Sequence, residues 1–359
     1  MTYQLETFIW ELTMGCNLRC LHCGSSCAER LPGELSLEES LRFAREVASL
    51  KPHWASLSGG EPLLRNDWHL IAQTLAEGNI LVGMITNGLL VNREIAYKMR
   101  QCGLKIVSIS LDGTRDIHNR MRGGDYYDQA VRGYRWLKQE GIHCGSNTTV
   151  IKENIDDLPN IRDELLRLGV GSWQIQLGLP SGRLAKNIDF VLLPEAVERL
   201  IDFVYEENRK GDMRVFLAES AGYFTRKETF SHQKAMPTND MVVWNGCNAG
   251  IRSFGLLHNG DVVGCTSLRD ARFIEGNLRT RSIVDIWQDP YTFAWRRNLK
   301  AAQLGGICKD CVYVEDCLGG CTNSRFTMTG DIYSGNEYCA YALARKKQAV
   351  PQELRGAAQ

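Results

Sequence analysis

The stretch Cys16-Asn17-Leu18-Arg19-Cys20-Leu21-His22-Cys23 decides the reading of this chain. It follows the apolar run Phe8-Ile9-Trp10 and the residues Glu11-Leu12-Thr13, and it places three cysteines on one short loop. Three thiolates are one too few to close a tetrahedral structural zinc site, and a cubane iron–sulfur cluster usually takes four as well. An iron left open is useful where a small molecule must be bound and reduced. The loop therefore reads as a [4Fe–4S] cluster whose fourth position belongs to a substrate or cosubstrate. The competing reading is a zinc site or redox pair that borrows Cys27 as its fourth ligand.

Working outward, the 359-residue chain is 44% apolar and 23% charged, ordinary values for a globular enzyme with one large domain and a smaller one. Lys+Arg and Asp+Glu balance at 42 each, so no overall field draws the protein to nucleic acid or to anionic lipid. No secretory leader is visible, and no apolar run approaches the ~18 residues of a membrane helix, so a cytoplasmic location is expected. In a reducing compartment thirteen cysteines are not a disulfide framework, and their odd number points to metal or sulfide chemistry.

Up to about residue 210, short β-branched or apolar runs alternate with helical patterns. Strands are predicted at 7–13, 54–58, 80–86, 106–111, 147–151 and 173–179. Helices are predicted at 37–50, 67–77, 93–102, 127–140, 155–168 and 195–209, the first opened by Ser36 with Glu39 as a capping box. Six βα repeats define an α/β fold, a partial (β/α)6 barrel, in which chemistry gathers at the carboxyl ends of the strands. Ser58-Gly59-Gly60-Glu61-Pro62 stands at the second of those ends. Its glycines admit a ligand close to the backbone, its glutamate is suited to accept from an ammonium group, and its proline stiffens the exit. Thr86-Asn87-Gly88 and Ser108-Ile109-Ser110-Leu111-Asp112-Gly113 end the third and fourth strands. Each is also an ordinary strand-to-turn exit when taken alone.

Past residue 245 the pattern changes to glycine- and cysteine-rich sequence. Cys247 and Cys265 bracket a predicted hairpin, 254–257 and 262–264, turned by Asn259-Gly260. A helical stretch near 283–298 is followed by Cys308, Cys311, Cys317 and Cys321, in the order C-x2-C-x5-C-x3-C, and then by Cys339.

The first loop, with a ring residue before its last cysteine, resembles the radical SAM superfamily, and the second constellation resembles the SPASM domain that one branch of it carries. Together the two resemblances cover residues 7–341. They imply that Cys16, Cys20 and Cys23 hold a cluster whose unique iron is chelated by S-adenosylmethionine (SAM), and that its reductive cleavage yields a 5′-deoxyadenosyl radical. Gly59, Gly60, Glu61 and Pro62 then hold the methionyl amine, while Asn87, Ser110 and Asp112 serve the ribose hydroxyls and carboxylate. Arg122 matches by position an arginine that meets the SAM carboxylate. Arg120 is its near rival, and covering a surface helix is the plainer role for either. The resemblance assigns Cys247, Cys265 and Cys321 to auxiliary cluster I, and Cys308, Cys311, Cys317 and Cys339 to auxiliary cluster II. Cluster I thus has three cysteines, its fourth position being open or taken by a non-cysteine group.

The implied domains are a barrel at 1–210, a connection at 211–245, the auxiliary-cluster domain at 246–345 and a tail at 346–359. Sulfatase-maturating relatives place an aspartate base after the second SPASM cysteine, whereas this chain has Thr266 there, with Asp270 nearby. That departure argues against formylglycine formation. Cys102 and Cys144 read as small core hydrophobes, and Cys27 either donates a hydrogen atom to a substrate radical or is simply buried. Gln174 and Gln176 alternate on the sixth strand and should share a face. Arg183 of Pro180-Ser181-Gly182-Arg183 either meets a substrate carboxylate or is solvated.

The resemblance implies an oxidoreductase that matures a ribosomal peptide by oxidative side-chain modification, a cross-link or a thioether. It draws electrons from a flavodoxin- or ferredoxin-type donor. With the barrel starting almost at Met1, leader recognition falls to a separate protein or to the barrel itself. The alternatives are peptide epimerisation, a small metabolite such as an aminoglycoside or tetrapyrrole precursor, and a non-enzymatic electron carrier.

Overall fold

A computed structural model describes residues 3–218 and 246–349. Most of the 211–245 connection and the last residues of the 346–359 tail lie outside the described residues. By packing, the chain forms two compact units, Met1–Val191 with Asn248–Asn298, and Leu192–Cys247 with Leu299–Gln359.

In the first unit six strands, β1 (Thr7–Glu11), β2 (Trp54–Ser58), β3 (Leu81–Thr86), β4 (Ile106–Ser110), β5 (His143–Val150) and β6 (Ser172–Leu177), lie side by side in chain order, all parallel. Helices α1 (Leu37–Ala48), α2 (Trp68–Glu77), α3 (Arg93–Gln101), α4 (Arg115–Arg122), α5 (Tyr127–Gln139) and α6 (Leu158–Leu168) connect them. This is the partial barrel that the alternating pattern predicts. Strand alternation makes its two faces. Phe8 and Trp10 of β1 are fully buried and pack edge-on against Phe43 of α1 at ring-centroid distances of 5.8 and 4.7 Å. Ile9 and Glu11 therefore stand on the opposite, inner face. The capping box at α1 forms as predicted, Glu39 N–H donating to Ser36 Oγ at 3.1 Å and Ser36 N–H to Glu39 Oε2 at 2.8 Å.

Three differences from the sequence reading have local causes. Strand β1 stops at Glu11 because the chain turns at Thr13, whose Oγ1 accepts the Gly15 N–H at 3.0 Å. Strand β5 starts at His143, earlier than predicted, with Gly145 inside it; a Cβ there would lie 2.3 Å from Ser108 Oγ, so this glycine marks a close approach and not a turn. Helix α4, largely polar, had no predicted counterpart; it ends on Gly123 in the left-handed region at φ 78°.

The predicted hairpin forms from Ser253–Leu256 and Asp261–Val263, antiparallel, with Ile274–Asn277 beyond it. Its first strand pairs parallel with β1, Thr7 opposite Ser253, so the hairpin continues the barrel sheet.

In the second unit, helix Val197–Lys210 is tied to strand Arg214–Leu217 through Asn208, whose Nδ2 donates to Val215 C=O at 2.6 Å. Short helices Val314–Cys317 and Thr322–Thr329 carry or follow the cysteines, and Tyr338 Oη–H donates to Leu192 C=O at 2.7 Å. Among the described residues no helix is long and apolar enough to cross a membrane. All thirteen cysteines are described, and none is in a disulfide.

Candidate active site

The loop 16–23 leaves the carboxyl end of β1 and is fastened at both ends. Cys16 N–H donates to Ala28 C=O at 2.7 Å, and Ala28 N–H to Met14 C=O at 3.2 Å. From the exit of β6, Arg183 reaches across the loop. Its Nε donates to Cys20 C=O at 2.8 Å, its Nη1 to Cys27 C=O at 3.0 Å, and its backbone N–H to Cys23 C=O at 2.9 Å. Arg183 is thus neither a solvated loop residue nor free to meet a substrate carboxylate; it holds the cysteine loop in place. The preceding Gly182, at φ 54°, lets this happen, since a Cβ there would fall 2.5 Å from Cys23 C=O.

The glycine pair after β2 serves the same loop. Gly60 N–H donates to Thr13 C=O at 2.7 Å and Glu61 N–H to Gly15 C=O at 2.8 Å, and a Cβ on Gly60 would lie 2.2 Å from the Gly15 oxygen. The close approach here is to the chain's own backbone. Glu61 is wholly buried and accepts from Thr86 Oγ1 at 2.7 Å, Asn87 N–H at 2.8 Å and Leu63 N–H at 3.2 Å. Burial pushes its carboxyl up to about 7. It joins the exits of β2 and β3, and Pro62 opens the 3-10 turn that follows. Asn87 also donates through Nδ2 to Asn17 Oδ1 of the cysteine loop at 2.7 Å.

Behind the loop lies a buried polar network. Asp112, fully enclosed at the exit of β4, takes Arg122 Nε and Nη2 on Oδ2 at 2.7 and 2.5 Å, His22 Nε2 on the same oxygen at 3.2 Å, and the Thr149 N–H on Oδ1 at 2.9 Å. Burial alone would raise its pKa, but Arg122 and His22 hold it well below the usual carboxylate range. Arg122 Nη1 also lies 3.8 Å from Cys20 Sγ. Of the two rival arginines only Arg122 points inward; Arg120 is exposed and pairs with Glu153 at 2.5 Å. His118 accepts the Asp112 N–H on Nδ1, and burial pushes it down to about 3, so it stays neutral.

Ser110, Asn147 and Gln174 stand in one row of the inner face, and Thr149 and Gln176 in the next. Gln176 Nε2 donates to Thr149 Oγ1 at 2.7 Å. The two glutamines do share a face, as their alternation predicts. On the same face Glu11 is held by Arg269, which also donates to Ser25 Oγ at 2.6 Å. Cys27 is buried beside the loop, with Sγ 4.0 Å from Met14 Sδ, and a hydrogen bond from Cys27 pushes the Cys23 thiol down. Cys102 and Cys144 are core residues, as expected. Asp270 caps the turn Ala271–Phe273 and pairs with Arg272, which with the capping bond pulls it down to about 2; it is not poised as a base.

The second unit brings Cys308, Cys311, Cys317 and Cys339 together around one cavity, with Tyr313, Asn336 and Tyr341 among its walls. Cys321 and Cys247 belong to the same unit, and Cys265 follows the hairpin in the first.

Thiol-only donor sets, one of three on a backbone-clamped loop and one of four around a cavity, fit iron–sulfur clusters. The residues that sequence reasoning missed are Arg183 as a clamp, His22 as a partner of Asp112, Arg269 and Asn336. Only His22 carried a signal, its place inside the cysteine motif.

Comparison with known proteins agrees. The Radical SAM superfamily model matches residues 10–165, and an iron–sulfur cluster-binding domain, SPASM, matches 247–312. The chain is 31% identical over 353 residues to the mycofactocin maturase MftC of Mycobacterium ulcerans, covering 95% of this chain and 90% of that protein. It is 28% identical over 354 residues to the AdoMet-dependent heme synthase of Methanosarcina barkeri, covering 96% and 99%. In structure it resembles SuiB of Streptococcus suis bound to S-adenosylmethionine, with TM-score 0.74 at 16% identity over 94% of this chain and 78% of that one. It also resembles anSMEcpe with bound AdoMet and Cp18Cys peptide, with TM-score 0.72 at 18% identity over 96% of both. The chain belongs to the radical SAM superfamily, in the branch with a C-terminal SPASM domain. It is an oxidoreductase whose cofactors are SAM, a [4Fe–4S] cluster and auxiliary iron–sulfur clusters.

Proposed function

We propose that the chain modifies a peptide by oxidation of a side chain, forming a cross-link or thioether. The observation that carries this is the inner face itself. Its described strand residues include hydroxyls and amides at Ser110, Asn147, Thr149, Gln174 and Gln176 and neither lysine nor arginine. Amide and hydroxyl groups match the N–H and C=O groups of a peptide. Arg183 and Arg269 around that face are engaged by loop carbonyls and by Glu11, respectively, and Arg122 is set aside for SAM. A tetrapyrrole precursor would bring several carboxylates needing cations. Likeness to a maturase supports the peptide, while likeness to a heme synthase favours the tetrapyrrole as second reading.

In this reading Cys16, Cys20 and Cys23 hold the cluster on which SAM is bound, and Gly59 to Pro62, Asn87 and Ser110 hold SAM. Arg122 supplies the positive charge for its carboxylate, with Asp112 fixing the guanidinium and Glu61 fixing the Asn87 backbone. The bound cofactors supply a 5′-deoxyadenosyl radical for hydrogen abstraction and, in the SPASM domain, an acceptor for the product's electron. Cys308, Cys311, Cys317 and Cys339 hold auxiliary cluster II, and Cys247, Cys265 and Cys321 cluster I. Cys27, buried beside the loop, is the hydrogen donor that epimerisation would need. The external one-electron donor is of flavodoxin or ferredoxin type.

The test is anaerobic incubation of reconstituted holoenzyme with SAM, dithionite and peptides encoded beside its gene, read by mass spectrometry in deuterated water. Loss of two hydrogen atoms supports oxidation. Deuterium gain without other change would mean epimerisation, and turnover of a tetrapyrrole alone would overturn the peptide reading.

A further inference from the structure

The cavity among Cys308, Cys311, Cys317 and Cys339 has a polar wall that the cysteines do not explain. Asn336 lines it and is only 2% exposed. Its Oδ1 accepts from Tyr338 N–H at 3.1 Å, and it lies 3.3 Å from Ser324 Oγ, whose one hydrogen also faces the Cys321 carbonyl at 2.9 Å. The Tyr338 N–H, which can only donate, sets the orientation of the amide, because turning it over would point the amide N–H groups at that donor. The Nδ2 group is therefore on the other side, and it is enclosed with no hydrogen-bond partner. A buried donor without an acceptor is costly to keep, unless an acceptor arrives that the protein itself does not supply.

A second enclosed donor accompanies it. Arg325, on helix Thr322–Thr329 and 1% exposed, donates to Thr322 Oγ1 at 3.2 Å and to Ile332 C=O through its terminal nitrogens, yet its Nε has no partner. The charges that act on it most are the thiols of Cys247, Cys308, Cys321 and Cys317, in that order. Gly319, at φ 77°, passes over the guanidinium so closely that a Cβ would lie 3.0 Å from Cζ. A guanidinium is seldom buried without an anion.

We propose that Asn336 and Arg325 are positioning residues for the iron–sulfur group held by Cys308, Cys311, Cys317 and Cys339. Asn336 Nδ2–H donates to a thiolate or inorganic sulfide of that group, and Arg325, packed behind Gly319 of the same wall, provides positive charge. Both stabilise the reduced, more negative state, so they hold its reduction potential up and fit it to accept an electron. The inference rests on reading that cavity as an iron–sulfur site.

The experiment is an EPR-monitored redox titration of anaerobically reconstituted full-length protein, with iron and sulfide counted per chain. Asn336→Leu keeps size but removes the donor, and its midpoint for the auxiliary signal should move to a more negative potential, outside titration error, with iron content unchanged. Ser324→Ala loosens the amide while leaving Asn336 in place, and should move the midpoint the same way by less; it decides the matter if Asn336→Leu binds less iron. Arg325→Met should shift it further negative than Arg325→Lys does. Unchanged midpoints in the Asn336 and Ser324 variants, at full iron content, would overturn the proposal. A Cys311→Ser control separates the two failures: if it leaves iron, sulfide and signal intact, the site assignment is what falls.

Discussion

Arg122 grips Asp112 with Nε at 2.7 Å and Nη2 at 2.5 Å from a single carboxylate oxygen, and both residues are buried behind the cysteine loop. The pair is also where the loop's own His22 attaches, at 3.2 Å. Removing one member of such a pair leaves the other charged, buried and unmatched. Asp112→Asn is accordingly expected to cost roughly 3–5 kcal/mol of stability. Anaerobic denaturant unfolding measures it, and a loss below about 1 kcal/mol would mean that the network is not what supports the loop.

Arg183 is expected to matter for cluster retention more than for folding. Its guanidinium satisfies the Cys20 and Cys27 carbonyls from the exit of β6. Hydrogen bonds from a charged donor are worth about 1.5–3 kcal/mol, less here because the residue is only half-buried. Arg183→Ala should reconstitute with less iron on the first loop and lose iron faster to a chelator, with little change in circular dichroism. Arg183→Lys, lacking the forked geometry, should restore only part of the retention. Wild-type retention in both variants would contradict the clamp.

The pairing of Glu39 with Arg279 predicts a pH effect. Arg279 Nε donates to Glu39 Oε1 at 2.6 Å, and this bond pulls the carboxyl from its ordinary 4.5 down to about 2. A depressed carboxylate adds stability above the ordinary value, and that stability is lost as pH falls through the folded value. The pair is partly exposed, so the gain is of the order of a surface ion pair, about 0.2–1 kcal/mol. The melting-temperature gap between wild type and Glu39→Gln should therefore be present near neutrality and close between about pH 4 and pH 2. A gap independent of pH would refute the assignment.

Much of the barrel was legible because it follows from patterns of a few residues. The apolar runs set β1 to β6 to within a few residues, Ser36 and Glu39 announced α1, and Asn259-Gly260 announced the hairpin. The cysteines of both constellations were legible by spacing alone, and four of the second set do share a cavity. What escaped were relations between distant residues. His22 meets Asp112 across 90 positions and Arg183 meets Cys20 across 163, and nothing local at either end announces the partner. Gly145 belongs with them: it sits in mid-strand because the distant Ser108 leaves no room for a side chain. The sequence marked Glu61 as an acceptor for a ligand's ammonium group, but not that Thr86 and Asn87 at the next strand exit also donate to it.

The claim on which the rest depends is that the loop of Cys16, Cys20 and Cys23 carries the chemistry. Its most direct test is 5′-deoxyadenosine formation by anaerobically reconstituted enzyme supplied with SAM and dithionite, comparing wild type with a variant in which all three cysteines are alanine. The account predicts formation by the wild type and none above background by the variant, while the auxiliary iron of the second unit is retained. Formation at the wild-type rate by the variant would contradict it.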